Sequence, residues 1–297
     1  MYQNLEKTEN FLINKNNMAM HYRYYLSGSG IYPPTIIVFH GYGSNINRPN
    51  MEKMAIYFNE MGFNVFGLDF IGHGYSDGER ALINSADDLI DDSYQFVNYI
   101  IEKYHLGDFY LLGSSMGGTI AAELMKKLTL EKVYNKMLKG CILLSPLINL
   151  KKRYPGLEYI VENYMSYYLP SKCFPDWMSF KIKLEDVYND PDYAEYISKD
   201  YYPDNPDGLT WSKNIKFKSA KTILELINRV NIYAENINVS TLIIHDKDDK
   251  ITDSKASQEY AEKNERIIFV ETEGGKHDLV ANNFETTMNI IKSFINK

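Results

Sequence analysis

The fold of this chain is decided by residues 109–122, which read FYLLGSSMGGTIAA. An apolar, aromatic run leads into Gly-x-Ser-x-Gly, and small residues follow, so the order is strand, tight turn and helix. Gly113 and Gly117 lie two positions either side of Ser115, where any side chain would collide between strand and helix backbones. Ser114 has no glycines at these distances. The pattern predicts that Ser115 stands at a strained turn with its hydroxyl over the sheet edge. A glycine-rich turn without chemistry has the same pentapeptide, so the remainder of the chain must separate the two interpretations.

The composition is that of a globular protein, with 297 residues, 44% hydrophobic, 24% charged and a formal net charge of −7. This length predicts one large domain or a domain with an insertion. No basic stripe or arginine-rich tract occurs, so nucleic acid is not an expected partner. The spacings His-x-x-x-His and Cys-x-x-Cys are absent from the sequence, so we expect no metal and no other cofactor.

Cysteine usage indicates the compartment. Cys141 lies in an apolar run and Cys173 in a proline-rich loop, so a disulfide framework is not expected and a reducing compartment fits. Residues 1–7 lack the apolar core of a secretion signal. No uninterrupted apolar stretch is long enough to span a bilayer. We therefore expect a cytoplasmic protein.

Buried strands alternate with helices along most of the chain. A polar turn between two β-rich runs predicts a hairpin over residues 11–26, and helices are expected over 49–61 and after a capping box at Ser85. Continuous apolar runs, typical of strands buried on both faces, occupy residues 35–39, 64–70, 109–112, 140–146, 241–245 and 266–270. The alternation predicts an α/β fold with a mostly parallel central sheet flanked by helices.

The buried-strand pattern pauses in the middle of the chain. Residues 151–235 contain no comparable run and are rich in tyrosine, tryptophan and proline. We predict that this segment is an inserted, mainly helical lid. The two parts of the core are then residues 1–150 and 236–297.

A serine hydroxyl is a poor nucleophile near neutral pH. For Ser115 to act as one, it needs a base within hydrogen-bond reach and a third group that orients the base. In this strand order the acid follows a later strand and the histidine comes last. Of six histidines, only His245 and His277 follow Ser115. His245 closes a strand, whereas His277 lies in the loop beyond the final strand, from which it can reach back over the turn at Ser115. His277 is therefore the predicted base.

The acid is less well determined by spacing. The loop after the strand that ends at His245 carries four aspartates, namely Asp246, Asp248, Asp249 and Asp253. At least two of the four must be solvated, and spacing alone does not select one. The acid should orient the imidazole and stabilise its cation without itself becoming protonated.

Together these motifs make the sequence similar to the monoglyceride lipase and lysophospholipase branch of the α/β-hydrolase fold. The resemblance spans residues 35–280. The blocks that carry it are His40-Gly41-Tyr42-Gly43, Asp69-x-x-Gly72-His73-Gly74-x-Ser76-x-Gly78, Gly113-x-Ser115-Met116-Gly117-Gly118 and the two C-terminal loops. It implies a serine hydrolase that cleaves carboxylic esters through an acyl-enzyme intermediate, using a Ser-His-Asp triad.

The resemblance also implies which residues act. In that family the acid follows a glycine-containing dipeptide at the strand end, and a basic and an aliphatic residue come next. Asp249 with Lys250-Ile251 fits this frame, and Asp248 is the second choice. Asp246 stands where the family usually has glycine.

The same frame implies an oxyanion hole built from backbone N–H groups. The two donors are expected at Met116, directly after the nucleophile, and at Tyr42, in the loop after the first long strand. We expect His40 and His73 to hold loops rather than to act on substrate.

The substrate is open at this stage. The resemblance implies a single-chain lipid ester, such as a monoacylglycerol or a lysophospholipid. A small-ester esterase, thioesterase or peptidase on the same fold, and a non-catalytic binding member, are the alternatives. An apolar and aromatic helical surface in the predicted lid packs on the core, lines an acyl tunnel or makes transient contact with a membrane surface. Its members are Tyr154, Leu157, Ile160, Val161, Tyr164, Met165, Tyr167 and Tyr168.

Overall fold

A computed structural model describes residues 10–30, 32–178, 180–202 and 204–296. Residues 1–7, in which no secretion signal is expected, lie outside these ranges. The strands are β1 (Asn10–Ile13), β2 (Ala19–Tyr25), β3 (Thr35–Phe39), β4 (Asn64–Leu68), β5 (Phe109–Ser114), β6 (Leu138–Leu144), β7 (Tyr201–Tyr202), β8 (Thr210–Trp211), β9 (Thr241–Asp246) and β10 (Ile267–Thr272).

The central sheet has eight strands in the order β1-β2-β4-β3-β5-β6-β9-β10. The β1–β2 and β2–β4 pairs are antiparallel, so the predicted hairpin forms one edge of the sheet. The strands from β4 to β10 pair in parallel. Because parallel strands end at a common edge, the loops after β3, β5, β9 and β10 meet there.

Helices cover the sheet and fill the segment between β6 and β9. They are α1 (Pro49–Glu60), α2 (Ala86–Tyr104), α3 (Met116–Thr129), α4 (Lys132–Met137), α5 (Pro155–Ile160), α6 (Ser166–Tyr168), α7 (Leu184–Val187), α8 (Pro191–Ser198), α9 (Phe217–Tyr233), α10 (Ser254–Ala261), α11 (Leu279–Asn282) and α12 (Phe284–Ile295). A π-helical turn, Val161–Met165, joins α5 to α6, and 3₁₀ turns occupy Asp176–Met178 and Ala234–Asn236. The Ser85 hydroxyl accepts the N–H groups of Asp87 and Asp88, which confirms the predicted cap of α2.

Apolar side chains on both faces of the sheet form two large buried clusters. Every residue of β3 and β4 is buried, as their continuous apolar sequences predict. The fold class predicted from the sequence is therefore confirmed, with a mostly parallel sheet flanked by helices on both sides.

The segment 151–235 contributes no strand to the central sheet among its described residues. It contains short helices and a two-stranded ladder of β7 and β8. Its last helix, α9, buries Ile223, Leu226, Ile227 and Val230 in the same apolar cluster that α2 and α3 line. The end of the segment is thus anchored in the core of the domain. In the part of the chain that is described, no helix combines the length and the apolar character needed to cross a bilayer.

Candidate active site

Ser115 occupies the turn between β5 and α3. Its backbone has φ 54° and ψ −122°, a conformation that L-residues rarely adopt. A Cβ atom at Gly113 would overlap the carbonyl of Gly117, and one at Gly117 would overlap the carbonyl of Phe39. Glycine is therefore required at both positions. This is the strained turn that the pentapeptide predicts. It places Ser115 at the edge of the sheet where the parallel strands have their carboxyl ends.

The loops after β9 and β10 bring together a carboxylate and an imidazole. His277 Nδ1 lies 2.7 Å from Asp249 Oδ2, and the carboxylate is almost fully buried. Asp249 Oδ1 accepts the backbone N–H groups of Ile251 at 2.7 Å and Thr252 at 3.1 Å. The Thr252 hydroxyl donates to Oδ2 at 2.8 Å. The carboxylate is thus held in one orientation, facing His277.

The two groups change each other's proton affinity. For Asp249, burial favours the neutral acid, but the charge of His277 and hydrogen bonds from His245 and His277 outweigh it, so the pKa lies well below its ordinary value. For His277, burial favours the neutral imidazole, but the charge and hydrogen bond of Asp249 outweigh it, so the pKa lies above 6.5. Asp249 therefore stays ionised while His277 becomes a stronger base, as an acid–base pair requires.

The other three aspartates of this loop have different surroundings. Asp248 is exposed. Asp253 caps α10 by accepting the N–H of Lys255. Asp246 is buried, and its carboxylate accepts the backbone N–H of Gly275 at 2.7 Å and the hydroxyl of Thr272 at 3.1 Å. The Asp246 carboxylate thus ties the acid loop to the end of β10 and to the loop carrying His277.

Ser115 and His277 line one cavity of about 80 Å³. The loop after β3 forms part of its wall through Gly41, Tyr42 and Gly43. Side chains of the segment 151–235 form much of the remainder, namely Ile182, Leu184, Val187, Tyr188, Tyr201, Thr210 and Trp211. Ser115 and His277 therefore face a common cavity, part of whose wall comes from the segment predicted to be a lid.

The predicted oxyanion donors flank this space. Met116 is the first residue of α3, and N–H groups in a first helical turn have no partner within their helix. The loop after β3 passes so close to Ser115 that a Cβ at Gly41 would lie 3.1 Å from the Ser115 Cβ. Tyr42 follows directly, with its hydroxyl turned away to the carbonyl of Ala81 at 2.9 Å. The roles of both backbone N–H groups stay predictions.

Buried side chains hold the loop after β3 from behind. His40 donates from Nδ1 to the Gly41 carbonyl at 2.8 Å and accepts the Phe70 N–H at Nε2, 3.2 Å away. Burial lowers its pKa, which maintains the neutral ring that this pattern needs. His73, also buried, has a pKa lowered to about 3 by its burial. These surroundings agree with loop-holding roles for the two histidines.

Sequence reasoning named Asp69 only as part of a motif and missed its structural role. Its Oδ1 accepts the N–H of Ile46 at 2.8 Å, and its Oδ2 accepts the N–H of Tyr75 at 3.1 Å and faces His21 Nδ1 at 2.7 Å. Asn47 also donates to Oδ2, at 3.3 Å. One carboxylate thus joins the loops after β3 and β4 to strand β2. An acidic residue at the end of a buried strand, followed by closely spaced glycines, was the available signal.

Sequence reasoning also missed two contacts of Asp249. Thr252 and His245 both reach Oδ2, and neither was assigned a role. Thr252 had a local signal, because an aspartate that accepts N–H groups two and three residues later forms a recurrent turn. His245 had no such signal, because its contact depends on the bend of the chain after β9.

The sheet order, the strained serine turn and the carboxylate–imidazole pair together define an α/β-hydrolase. The family model described as serine aminopeptidase, S33, matches residues 33–283, and the chain belongs to that family.

The chain is similar to a viral monoglyceride lipase homolog and to a mammalian monoglyceride lipase. A monoglyceride lipase homolog from Monkeypox virus is 27% identical over 286 residues, covering 95% of each chain. The monoglyceride lipase of Rattus norvegicus is 25% identical over 247 residues, covering 83% of this chain and 75% of that one.

A solved structure, a soluble variant of monoglyceride lipase from Saccharomyces cerevisiae in complex with a substrate analog, superposes with a TM-score of 0.76. Its identity is 17%, and the match covers 99% of this chain and 96% of that chain. These findings confirm the resemblance to monoglyceride lipases, the fold and the expected enzyme class, that of the serine ester hydrolases.

Proposed function

We propose that the protein hydrolyses esters of single-acyl-chain lipids, monoacylglycerols or lysophospholipids, by a triad of Ser115, His277 and Asp249. The observation that carries the proposal is that the strained serine and the carboxylate-paired histidine face one cavity lined by both apolar and polar side chains. No cofactor is required for this chemistry.

The reaction follows from the charges of the three groups. His277 Nε2 takes the proton of the Ser115 hydroxyl as the oxygen attacks the ester carbonyl, and the imidazolium is stabilised by Asp249. The tetrahedral oxyanion accepts the N–H groups of Met116 and Tyr42, each contributing about 2.7–4 kcal/mol to transition-state stabilisation. His277 then gives its proton to the leaving alcohol, which leaves an acyl-enzyme. Water, deprotonated by His277, attacks the acyl carbonyl, and Ser115 recovers its proton on release of the fatty acid.

The lining of the cavity supports an amphiphilic substrate. Apolar side chains come from Met51, Ile182, Leu184, Val187 and Trp211, and polar ones from Arg48, Asn50 and Asp278. The similarity to monoglyceride lipases supports the same class of ester. The volume of about 80 Å³ is far below the ~300–1,000 Å³ of typical ligand pockets. A long acyl chain therefore needs a more open arrangement than the one described.

We infer that residues 151–235 act as the lid that provides this opening. Because α9 is buried against α2 and α3, we expect the part before α9 to move. Several of its large apolar side chains are exposed, including Tyr167 at 77%, Tyr168 at 72% and Trp177 at 81%. Only a few members of the aromatic surface, such as the buried Val161, pack inward. Exposed tyrosine and tryptophan side chains suit a membrane–water interface.

Membrane contact is tested by sedimentation with phosphatidylcholine vesicles. Replacing Tyr167, Tyr168 and Trp177 by serine should lower the bound fraction several-fold. Tyr32→Ser is the matched control, because Tyr32 is 69% exposed and precedes β3, at the opposite edge of the sheet. Equal binding of all variants would refute the contact.

The catalytic proposal is tested with a fluorophosphonate probe and an ester series. The probe should label wild type and fail to label Ser115→Ala. Hydrolysis rates should be higher for monoacylglycerols and lysophospholipids with long chains than for short nitrophenyl esters. If the probe labels the wild type but hydrolysis shows no preference for acyl length, the protein is a serine hydrolase and the proposed lipid substrate is rejected.

A second candidate is an aminopeptidase, which the description of the matched family favours. Such an enzyme needs an anionic group for the free amine of its substrate, and Asp278 is the acid among the lining residues described. Its carboxylate already accepts Asn50 Nδ2 at 2.7 Å and the N–H of Ala281 at 3.0 Å. Arg48 lies in the same wall, and its positive charge would repel the protonated amine of a peptide substrate. Release of nitroaniline from aminoacyl anilides at rates above those of ester hydrolysis would favour this candidate.

The cytoplasmic location stays a prediction. Cys141 and Cys173 are both free thiols, which a reducing compartment preserves.

A further inference from the structure

We propose that His245 is a positioning residue that holds the carboxylate of Asp249 and moderates its pull on His277. The proposal rests on the proposed triad and assigns a task to the second histidine that follows the nucleophile.

Two imidazoles share one carboxylate oxygen. Asp249 Oδ2 lies 2.7 Å from His277 Nδ1 and 3.1 Å from His245 Nε2. His245 is fully buried within β9, one residue before the strand ends. Its ring therefore has no solvent path of its own, and His245 is not among the described residues that line the cavity faced by His277.

The other ring nitrogen of His245 is also occupied. Nδ1 lies 2.8 Å from the hydroxyl of Ser257, in α10. When Ser257 donates to Nδ1, the ring carries its proton on Nε2 and donates it to Asp249. Thr252 Oγ1, 3.2 Å from His245 Nε2, donates to the same carboxylate oxygen. His245 is thus fixed at both nitrogens, and its N–H points at the acid.

Sharing this oxygen has a chemical consequence. Each N–H or O–H that donates to a carboxylate stabilises its negative charge and leaves less of that charge for another donor. Oδ2 accepts from Thr252, His245 and His277, while Oδ1 accepts two backbone N–H groups. Removing the His245 donor should therefore strengthen the pull of Asp249 on the His277 proton. It should also release one of the contacts that orient Asp249.

The charged groups around the pair do not supply the same contact. Asp278 follows His277 and its charge also favours the imidazolium. Asp246 is engaged with Thr272 and Gly275 in the loop after β10. The partners that α10 and the turn after β6 supply are uncharged: the Ser257 hydroxyl contacts His245, and the Ser145 carbonyl lies 3.2 Å from the Thr252 hydroxyl.

The experiment compares His245→Leu with His245→Gln. Leucine fills a similar volume without a donor, whereas glutamine can place an amide N–H near the position of Nε2. For His245→Leu we expect kcat to fall about 10- to 100-fold, the range for losing a hydrogen bond to a charged group, with KM nearly unchanged. The acid limb of the kcat/KM profile should move to higher pH. His245→Gln should recover most of kcat and the wild-type limb.

A matched control separates positioning from packing. Thr241→Val removes a buried hydroxyl at the other end of β9, where it donates to the Val239 carbonyl at 3.1 Å. It should lower Tm without moving the pH profile. If His245→Leu and His245→Gln lose activity equally, with a fall in Tm like that of Thr241→Val, His245 only packs. Wild-type kcat and pH profile in His245→Leu would also overturn the proposal.

Two further variants keep the test decisive. If His245→Leu does not fold, Ser257→Ala takes its place: freeing Nδ1 should move the acid limb in the same direction by a smaller amount, and an unmoved limb refutes the proposal. His277→Ala should be nearly as inactive as Ser115→Ala, because the two act as a unit. If either retains wild-type activity, the proposed triad fails, whatever His245 does.

Discussion

Ser115 and Asp249 stand in two loops at the same edge of the sheet, yet they are specified in different ways. At the serine turn, backbone crowding dictates the residue types, since a side chain at Gly113 or Gly117 would overlap a neighbouring carbonyl. In the acid loop, no such crowding selects among the aspartates, and Asp249 is distinguished by its hydrogen bond to a histidine 28 residues later. A site built on backbone strain can therefore be located from local sequence, whereas a site built on side-chain pairing can be located only from the fold.

The strongest test of the serine turn is Gly113→Ala. Because the added Cβ would overlap the Gly117 carbonyl, strand or helix must shift, and we expect a loss of about 3 kcal/mol or more in unfolding free energy, with loss of activity. Gly156→Ala is the matched control, since a Cβ there meets nothing within 4 Å. Denaturant unfolding of both variants checks the prediction. Equal stability of the two would mean that the turn tolerates side chains.

Ser115→Ala should abolish ester hydrolysis and leave the fold intact, because it removes only the hydroxyl at the same turn. Ser114→Ala, one residue earlier, should keep most of the activity. The check is kcat on a nitrophenyl ester together with Tm for both variants. If Ser114→Ala were inactive and Ser115→Ala active, the nucleophile would be Ser114, and the glycine spacing would not have located it.

In the acid loop, the four Asp→Asn variants should differ sharply. Asp249→Asn should lower kcat by up to ~10⁴-fold, because an amide there can hold the imidazole in the wrong tautomer. Asp248→Asn and Asp253→Asn should matter far less, because these residues lie away from His277. Asp246→Asn should act mainly on stability, through Gly275 and Thr272. A larger loss of kcat in Asp248→Asn than in Asp249→Asn would place the acid one residue earlier.

The smallest expected effect concerns pH. His277 must be neutral to act as a base, and its pKa is raised above 6.5 by Asp249. Activity should therefore fall as the pH is lowered, with the midpoint of this acid limb above pH 6.5. In Asp249→Asn the acid limb should move to lower pH. The measurement is kcat/KM across the neutral range for both proteins. A limb that stays in place in Asp249→Asn would mean that another group titrates.

Stability should follow the opposite course. A raised imidazole pKa stabilises the folded state fully below 6.5, and this contribution is lost as pH rises through the folded value. The lowered pKa of Asp249 contributes above the ordinary carboxyl value and is lost only in strong acid. The Asp249–His277 pair therefore stabilises the fold most between these limits, where His277 is mostly protonated and activity is already reduced.

The amino-acid sequence by itself determined the fold class and the strained turn that carries Ser115. Continuous apolar runs predicted β3, β4 and their parallel neighbours, and the glycine spacing predicted the turn at Ser115. These features arise from sterics and burial within a few residues, so they are encoded where they act. The order of serine, acid and histidine along the chain also limited the base to His277, because only loops beyond later strands reach the same edge of the sheet.

Only the tertiary structure decided how the side chains pair. It brought Asp249 rather than Asp246, Asp248 or Asp253 to His277, and it placed His245 against the same oxygen. It also joined two loops and strand β2 at Asp69, and it placed Trp211 in the wall of the cavity that Ser115 faces. The physical reason is that a hydrogen bond requires a donor and an acceptor within about 3 Å, and for groups on separate loops that distance depends on the arrangement of the whole sheet.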